Sequence, residues 1–333
     1  MTTIFTAMPI FDKPGPLRDL LDRYGFTHER VSVPRGASME ESVSAMIARA
    51  PEMEFLLANT TPLGKPFFAA AKHLKLVSMF GVGIDHIDLG AATEAGVLVT
   101  NAPGTNTRCV SELAFSLMLA LAHNVVPMHT DLVNGTWRGR KGTEISGKTL
   151  GLIGFGSIAQ DMAKLGNAFG MRVIFANRTP RPQEAAALNA AQLPLDQVLA
   201  EADYCSVHVP GGANSLHLGT AEFAKMKKGA MFINTARGDI ADLDALVDAL
   251  TSGHLAGAGL DVFPQEPMDL AHPVFSLSQV VLTPHAGGLS QEAMERVTAS
   301  ALDEVVRVLN NAPSPNARNP EVYEDGGRGT NRA

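Results

Sequence analysis

The chain has 333 residues, 45% of them hydrophobic and 18% charged, with 27 Lys and Arg against 34 Asp and Glu for a formal net charge of −7. That length allows two domains with cores of ordinary size, and the acidic balance argues against nucleic acid or an anionic membrane as partner while leaving room for a local basic pocket. Cys109 and Cys205 are too few and too isolated for a disulfide framework or a metal cluster, no stretch offers about 18 consecutive apolar residues, and MTTIFTAMPIF lacks the basic start of a leader, so a soluble, cytoplasmic protein in a reducing compartment is expected.

In chain order, strand character appears first near Ile4, followed by a helical pattern from Leu17 to Tyr24. Short strands are predicted at 54–57, 75–78 and 97–99, with a helical pattern from His86 to Ala95, and this part reads as one βα array. From Thr107 to about Asn134 runs a long apolar helical pattern that Pro127 interrupts, which predicts a kink or break there. Leu150 to Ile153 reads as a buried strand and Gly154 to Gly156 as a turn. Ile158, Met162, Leu165 and Phe169 recur at helical spacing, and Val173 to Phe175 makes a second strand after Gly170.

That segment is a βαβ unit. In it Gly154 permits the tight turn, Gly156 lets the backbone approach a pyrophosphate seated on free N–H groups of the helix start, and Ala159 is small where helix and strand pack. As a bare pattern the glycines fit any turn of an α/β protein, but the strand before and the helix after favour a dinucleotide. Further strands are predicted at 204–207, 230–233, 256–260 and 280–282, and a closing helix from Gln291 to Leu309, with no solenoid-type repeat. The tail from Asn310, rich in Asn, Pro and Gly, predicts little apolar burial and a mobile end.

Three stretches then set a polar residue beyond the carboxyl end of an apolar strand, where open α/β sheets bind ligands: INTARG from Ile233, GLDVFPQEP from Gly259 and LTPHAGG from Leu282. Singly, Arg237 reads as a surface ion pair, Glu266 as a solvated loop acid and His285 as a core-edge histidine. In order on successive strand ends they read as one site.

Together with GVG at Gly81–Gly83, NAPGTNT from Asn101 and GFGSIA from Gly154, these stretches resemble the D-isomer-specific 2-hydroxyacid dehydrogenase family over about Glu54 to Ala312. The resemblance implies an α/β architecture of two Rossmann-like, doubly wound parallel-sheet domains. A discontinuous substrate domain from residues 1–100 and 288–333 would enclose an inserted dinucleotide-binding domain, 101–287, with the active site in the cleft. It also implies a homodimer joined through the cofactor domains. The segment NGTWRGRKGTEISG, in which Arg138, Arg140 and Lys141 follow Trp137, corresponds to the arm that packs on the partner subunit, and it is shorter than usual for the family.

The implied activity is hydride transfer between a nicotinamide cofactor and a D-2-hydroxy acid/2-oxo acid pair. Reduction builds negative charge on the keto oxygen, so a proton must arrive there, and His285 is the proper donor. Glu266 on the other ring nitrogen raises the histidine's pKa, and Arg237 binds the carboxylate and polarises the keto oxygen. By resemblance, backbone at Val82 and Gly83 gives a second grip on the carboxylate. Asp261 would orient the nicotinamide amide, although as a strand-end acid it equally reads as the cap of a turn. Cofactor contacts are expected at Gly154, Phe155, Gly156, Ser157 and Ile158, at Asn177, Arg178 and Thr179, at Val209 and Pro210, and at Thr235 and Ala236.

NAD-preferring relatives end the second strand in an acid that repels a 2′-phosphate. Here Asn177-Arg178-Thr179 fits a 2′-phosphate, with Arg181 nearby, so NADP(H) is the expected cofactor and NAD(H) remains possible. After His208-Val209-Pro210 the family continues with a bulky and a hydroxylated residue. This chain has Gly211-Gly212, in a loop expected near the adenosine side. Phosphoglycerate-type relatives carry a cation close before the carboxylate-binding turn, where this chain has Ser78, Met79 and Phe80. An unmatched phosphate dianion is costly to desolvate, so glyoxylate, hydroxypyruvate or a similar unphosphorylated acid is the expected substrate. The alternatives are that Met79 and Phe80 merely fill the core while a cation arrives from elsewhere, as in a D-3-phosphoglycerate dehydrogenase, or that the chain is a cofactor-sensing corepressor.

Overall fold

Short apolar strands build two parallel sheets, one in each of two units of the chain: Met1–Asn106 with Ser290–Ala333, and Thr107–Leu289. The computed structural model describes residues 1–33, 36–212 and 216–324. In the first unit β1 (Thr3–Thr6), β2 (Thr27–Arg30), β3 (Phe55–Ala58), β4 (Leu76–Met79) and β5 (Leu98–Thr100) lie in the order β2-β1-β3-β4-β5, all parallel. Side chains alternate between two cores: along β4, Leu76 packs on one face with the helix Gln291–Leu309, and Val77 and Met79 pack on the other. Helices cover both faces, so the inner strands β3 and β4 are buried along their whole length and do not alternate with exposed polar residues.

The second unit holds β6 (Thr149–Ile153), β7 (Arg172–Ala176), β8 (Ala190–Gln192), β9 (Tyr204–Val207), β10 (Met231–Asn234), β11 (Gly257–Leu260) and β12 (Val280–Leu282). Their order is β12-β11-β10-β9-β6-β7-β8, all parallel. The chain runs outward from β6 to β8 and then crosses to β9 on the other side. The β6/β9 boundary is therefore the topological switch point, where open sheets of this kind receive ligands. Ala114, Phe115 and Met118 of the helix Thr107–Ala122 pack with Ala159 and Met162 of the helix Ser157–Ala168, over Leu150 and Leu152 of β6.

Four features differ from expectation. Two strands escape the apolar pattern because they lie at sheet edges: β2 reads Thr-His-Glu-Arg and β8 Ala-Ala-Gln, and exposed edges are commonly polar and short. The break in the long helix falls at Asn124, which is left-handed at φ 51°, and not at Pro127. The helices Thr107–Ala122 and Val125–Val133 diverge by 65°, and Pro127 sits in the first turn of the second, where a missing N–H costs nothing. The predicted 86–95 helix is shorter, Leu89–Glu94, capped by the Asp88 carboxylate. Among the described residues no single helix is long and apolar enough to cross a membrane.

The fourth difference is the tail. Beyond Asn310 the chain buries Val322 fully and lays Ala317 to Asn319 along the free edge of β5. The Asn319 amide makes this possible: Oδ1 accepts from Val99 N–H at 2.8 Å, and Nδ2 donates to the Val97 carbonyl at 2.9 Å and the Thr93 hydroxyl at 3.0 Å. One polar side chain thus satisfies edge groups that otherwise need water. The expected mobile end lies outside the described residues.

Candidate active site

At the end of β6, Gly154 has φ 90°, and a Cβ there would stand 2.5 Å from the His208 carbonyl oxygen. Only glycine lets the β6 and β9 ends touch. Gly156 differs: its φ is −76°, a Cβ would meet no protein atom within 4 Å, and no side chain caps the helix that starts at Ser157. Neither packing nor backbone requires this glycine, while open first-turn N–H groups beside it suit a pyrophosphate, so the turn fits a dinucleotide. Phe155, expected at the cofactor, is 1% exposed and stacks on Phe175 at 3.6 Å. Its side chain fastens the turn to the core. Ser157 is exposed, with its hydroxyl 3.1 Å from that of Thr107, while Val209 packs beside Gly154 and Pro210 is exposed.

At the end of β7 the three expected residues separate. Asn177 is used internally: Oδ1 accepts from Phe155 N–H at 3.2 Å and Nδ2 donates to the Thr179 carbonyl at 2.7 Å. Arg178 and Thr179 are exposed, and among the described residues the Arg178 guanidinium has no partner. Arg181 is paired with Glu184 at 3.1 Å.

The ends of β10, β11 and β12 carry the ionisable residues. At the end of β10, Asn234 folds the turn: Oδ1 accepts from Ala236 N–H at 3.0 Å and Nδ2 donates to the Arg237 carbonyl at 2.8 Å. Thr235 is buried, and its hydroxyl has no partner among the described residues. Arg237 is half-buried, with Nη1 on the Ala236 carbonyl at 2.7 Å. The next residue, Gly238, lies so close to Phe263 that a Cβ would come within 1.9 Å of its carbonyl carbon. Phe263 N–H in turn binds Glu266 Oε1 at 2.9 Å, so the arginine segment and the acid loop are pressed together.

Glu266 Oε2 accepts from His285 Nδ1 at 2.6 Å. That hydrogen bond raises the His285 pKa above its ordinary value, against opposing burial, with help from the charges of Glu266 and Asp261. Burial pushes the Glu266 carboxyl up, but the His285 and Phe263 hydrogen bonds and the nearby charges of His285 and Arg237 together leave it below the usual range. Among the described residues His285 Nε2 has no partner. The residue itself is left-handed, φ 53°, a conformation rare for a histidine that must be held in place.

Asp261 does the holding. Its carboxylate is 1% exposed; Oδ1 accepts from the Thr283 hydroxyl at 2.6 Å and Ala286 N–H at 2.7 Å, and Oδ2 from Gly287 N–H at 2.9 Å. These are the contacts of a turn cap around His285. Another histidine at a strand end, His208, is hydrogen-bonded to Ser206 at 2.9 Å, and burial pushes its pKa down to about 3. It stays neutral at working pH and has no imidazolium proton to give.

The loop after β9 also touches the arginine. Gly211, expected near the adenosine side, packs against the Arg237 stem, where a Cβ would lie 2.8 Å from Arg237 Cγ. Asn234, Thr283 and Gly238 went unnoticed in the sequence because their work is hydrogen bonding and close approach, for which a strand-end Asn or Thr gives only a faint signal.

In the first unit, the turn after β4 is tied by Ala102 N–H to the Gly81 carbonyl at 2.8 Å and by Asn101 Nδ2 to the Val82 carbonyl at 2.6 Å. Val82 is exposed, and among the described residues the N–H groups of Val82 and Gly83 have no acceptor. Ser78 and Met79 are buried, and Phe80 lies edge-on to Phe11 at 6.4 Å. These three side chains pack within their own unit.

The model of the D-isomer specific 2-hydroxyacid dehydrogenase NAD binding domain matches residues 115–287. The chain belongs to this family. It is an oxidoreductase acting on CH–OH donors, and its second unit carries the nicotinamide-cofactor fold. It is 36% identical over 273 residues to the glyoxylate reductase of Thermococcus litoralis, covering 79% of this chain and 82% of that protein. It is 40% identical over 278 residues to the D-3-phosphoglycerate dehydrogenase of Mycobacterium tuberculosis, covering 82% of this chain but only about half, 52%, of that protein. Among solved structures, an acyclic imino acid reductase in complex with NADPH and D-Arg superposes with a TM-score of 0.80 at 26% identity, over 95% of this chain and 99% of that one.

Proposed function

We propose that this dehydrogenase reduces a small unphosphorylated 2-oxo acid, of the glyoxylate or hydroxypyruvate class, with NADPH. The observation that carries the reading is the His285 imidazole, bonded through Nδ1 to Glu266 at 2.6 Å with Nε2 open, on the strand ends of the sheet that also bears Arg237. When bound, the nicotinamide supplies a hydride to the keto carbon. His285 holds a proton at Nε2 and passes it to the keto oxygen, and Glu266 keeps the ring charged and oriented. The Arg237 fork binds the carboxylate and stabilises charge developing on the keto oxygen. The free N–H groups of Val82 and Gly83 offer a carboxylate a second grip.

The pyrophosphate belongs at Gly154 to Ile158, with Val209, Pro210, Thr235 and Ala236 flanking the rest of the cofactor. Arg178 and Thr179 are free to meet a 2′-phosphate, and the 26% identical reductase that binds NADPH supports the same choice. No residue from Leu76 to Gly83 carries a positive charge, and the chain covers most of a glyoxylate reductase. The 40% identity to phosphoglycerate dehydrogenases favours the second reading, a phosphorylated substrate. Initial rates with NADPH and NADH on glyoxylate, hydroxypyruvate and 3-phosphohydroxypyruvate separate the two. We expect the highest kcat/KM for an unphosphorylated acid with NADPH, and Arg178→Ala to weaken NADPH roughly 10- to 100-fold while sparing NADH. A higher kcat/KM for the phosphorylated acid overturns the substrate, and equal efficiency with both cofactors overturns the cofactor.

Val125, Val126, Leu132, Val133 and Trp137 leave a run of large apolar side chains exposed, Trp137 at 94%. Such a patch suits a homodimer face, and Trp137→Asp should sediment as a monomer where the wild type sediments as a dimer. The two free thiols fit a cytoplasmic location.

A further inference from the structure

Arg237 is held from two sides by glycines. On one, Gly238 is jammed against the backbone of Phe263 and Pro264, which places the arginine's main chain beside the loop of Glu266. On the other, Gly211 touches the arginine's stem: a Cβ at 211 would stand 2.8 Å from Arg237 Cγ, 3.0 Å from its Cβ and 2.7 Å from Asp239 Oδ1. Gly211 lies outside the left-handed region, so its backbone would accept an alanine and only the space forbids one.

The contact is anchored. Gly212 N–H donates to Asp239 Oδ2 at 2.9 Å, which ties the exposed Asp239 carboxylate beside residue 211. Further along, Leu218 N–H binds the Ile240 carbonyl at 2.7 Å and Asp242 N–H binds the Leu218 carbonyl at 2.9 Å. The chain that leaves β9 is thus stitched to the segment just after Arg237, with Gly211 wedged between. Asn234 fixes the arginine's backbone, as described above, and Nη1 is held on the Ala236 carbonyl at 2.7 Å, so what lies against Cβ and Cγ bears on the stem between these two fixed ends.

We propose that Gly211 is a positioning residue that sets the aim of Arg237, and so decides how tightly the carboxylate of a 2-oxo acid is held. This rests on the reading of Arg237 as the carboxylate-binding group. A guanidinium grips a carboxylate through two parallel hydrogen bonds. That geometry tolerates little displacement, since a misplacement of about 1 Å costs on the order of 10²-fold. An ordinary contact needs more than half an ångström beyond the spacing at Gly211, so any side chain here must push the stem or open the turn.

The test is steady-state kinetics of the whole protein with NADPH and glyoxylate, with NADPH affinity measured separately by fluorescence and oxalate as a carboxylate probe. Gly211→Ala should raise KM for glyoxylate and weaken oxalate by roughly 10- to 100-fold, while NADPH affinity stays within about twofold. In an Arg237→Ala background the same substitution should add nothing to either value. KM and oxalate affinity unchanged in Gly211→Ala, or effects that multiply with those of Arg237→Ala, overturn the proposal. If Arg237→Ala itself leaves KM and oxalate unchanged, the reading of Arg237 fails instead, and the two failures are told apart. Should Gly211→Ala not fold, Asp239→Ala, which frees the Gly212 N–H, should show the same loss and Asp239→Asn, which keeps the acceptor, should restore most of it. No loss in Asp239→Ala then overturns the proposal.

Discussion

Two histidines sit at the carboxyl ends of strands in one sheet and titrate in opposite directions. At the end of β9, His208 has the Ser206 hydroxyl as its one partner among the described residues, and burial of the ring pushes its pKa down to about 3. At the end of β12, His285 meets the Glu266 carboxylate at 2.6 Å, and its pKa rises. The residue type and fold position are shared; what differs is whether a carboxylate offsets burial. A histidine near a ligand site is therefore assigned a proton-transfer role by its partner, and its place in a motif is not enough.

The largest effect is expected from removing the histidine with the carboxylate. His285→Ala should lower kcat for reduction by roughly 10²- to 10⁴-fold, with NADPH binding near normal, because the ring acts on the proton and not on the dinucleotide. A variant with full activity would move the acid elsewhere.

A smaller effect is expected one step back, at the anchor of the β12 loop. Asp261→Asn turns an amide donor toward a ring of donors, Thr283 Oγ1 and the N–H groups of Ala286 and Gly287. Left-handed His285 then loses its support, and kcat should fall by about 10- to 100-fold. Unchanged kcat would mean that the loop is held without the carboxylate.

The smallest effect concerns the β9 histidine and appears in stability. Its pKa is depressed in the folded state and ordinary, about 6.5, in the unfolded chain, so the unfolded state binds the extra proton and stability declines as pH falls below about 6.5 toward 3. At pH 5 the cost is about 2 kcal/mol at 1.36 kcal/mol per unit. His208→Gln should flatten the acid limb of denaturant-melt stability against pH while leaving the pH profile of reduction in place. An unchanged acid limb would show that His208 is solvated.

The same contrast explains what was legible in the sequence. Arg237, Glu266 and His285 stand out because each follows an apolar run that must be a buried strand, and parallel sheets gather ligand groups at one end. What a side chain does after the strand ends was not legible. Phe155 sits in the glycine turn yet points into the core onto Phe175, and Asn177 turns inward to the Phe155 N–H, leaving Arg178 in solvent. Gly211 stands out in the sequence only as a departure from the family's bulky residue, and its closeness to Arg237 exists only once β9 and β10 are neighbours. The helix break passed to Asn124 because a left-handed asparagine ends a helix as firmly as a proline does, without announcing itself. The docking of the tail rests on one amide, Asn319, whose three hydrogen bonds go to Thr93, Val97 and Val99, more than two hundred residues away.

The pH profile of kcat/KM for 2-oxo acid reduction, in wild type and Glu266→Gln, tests the paired histidine most directly. Reduction needs the charged ring, and the hydrogen bond it donates to Glu266 keeps that form present above the ordinary histidine pKa of about 6.5. The wild-type profile should stay level through neutral pH and fall only as pH rises through the raised value, and in Glu266→Gln the fall should move to lower pH. Superimposable profiles, or a wild-type rate that already falls below about pH 6.5, would contradict the assignment of His285 and Glu266 as the acid and its partner.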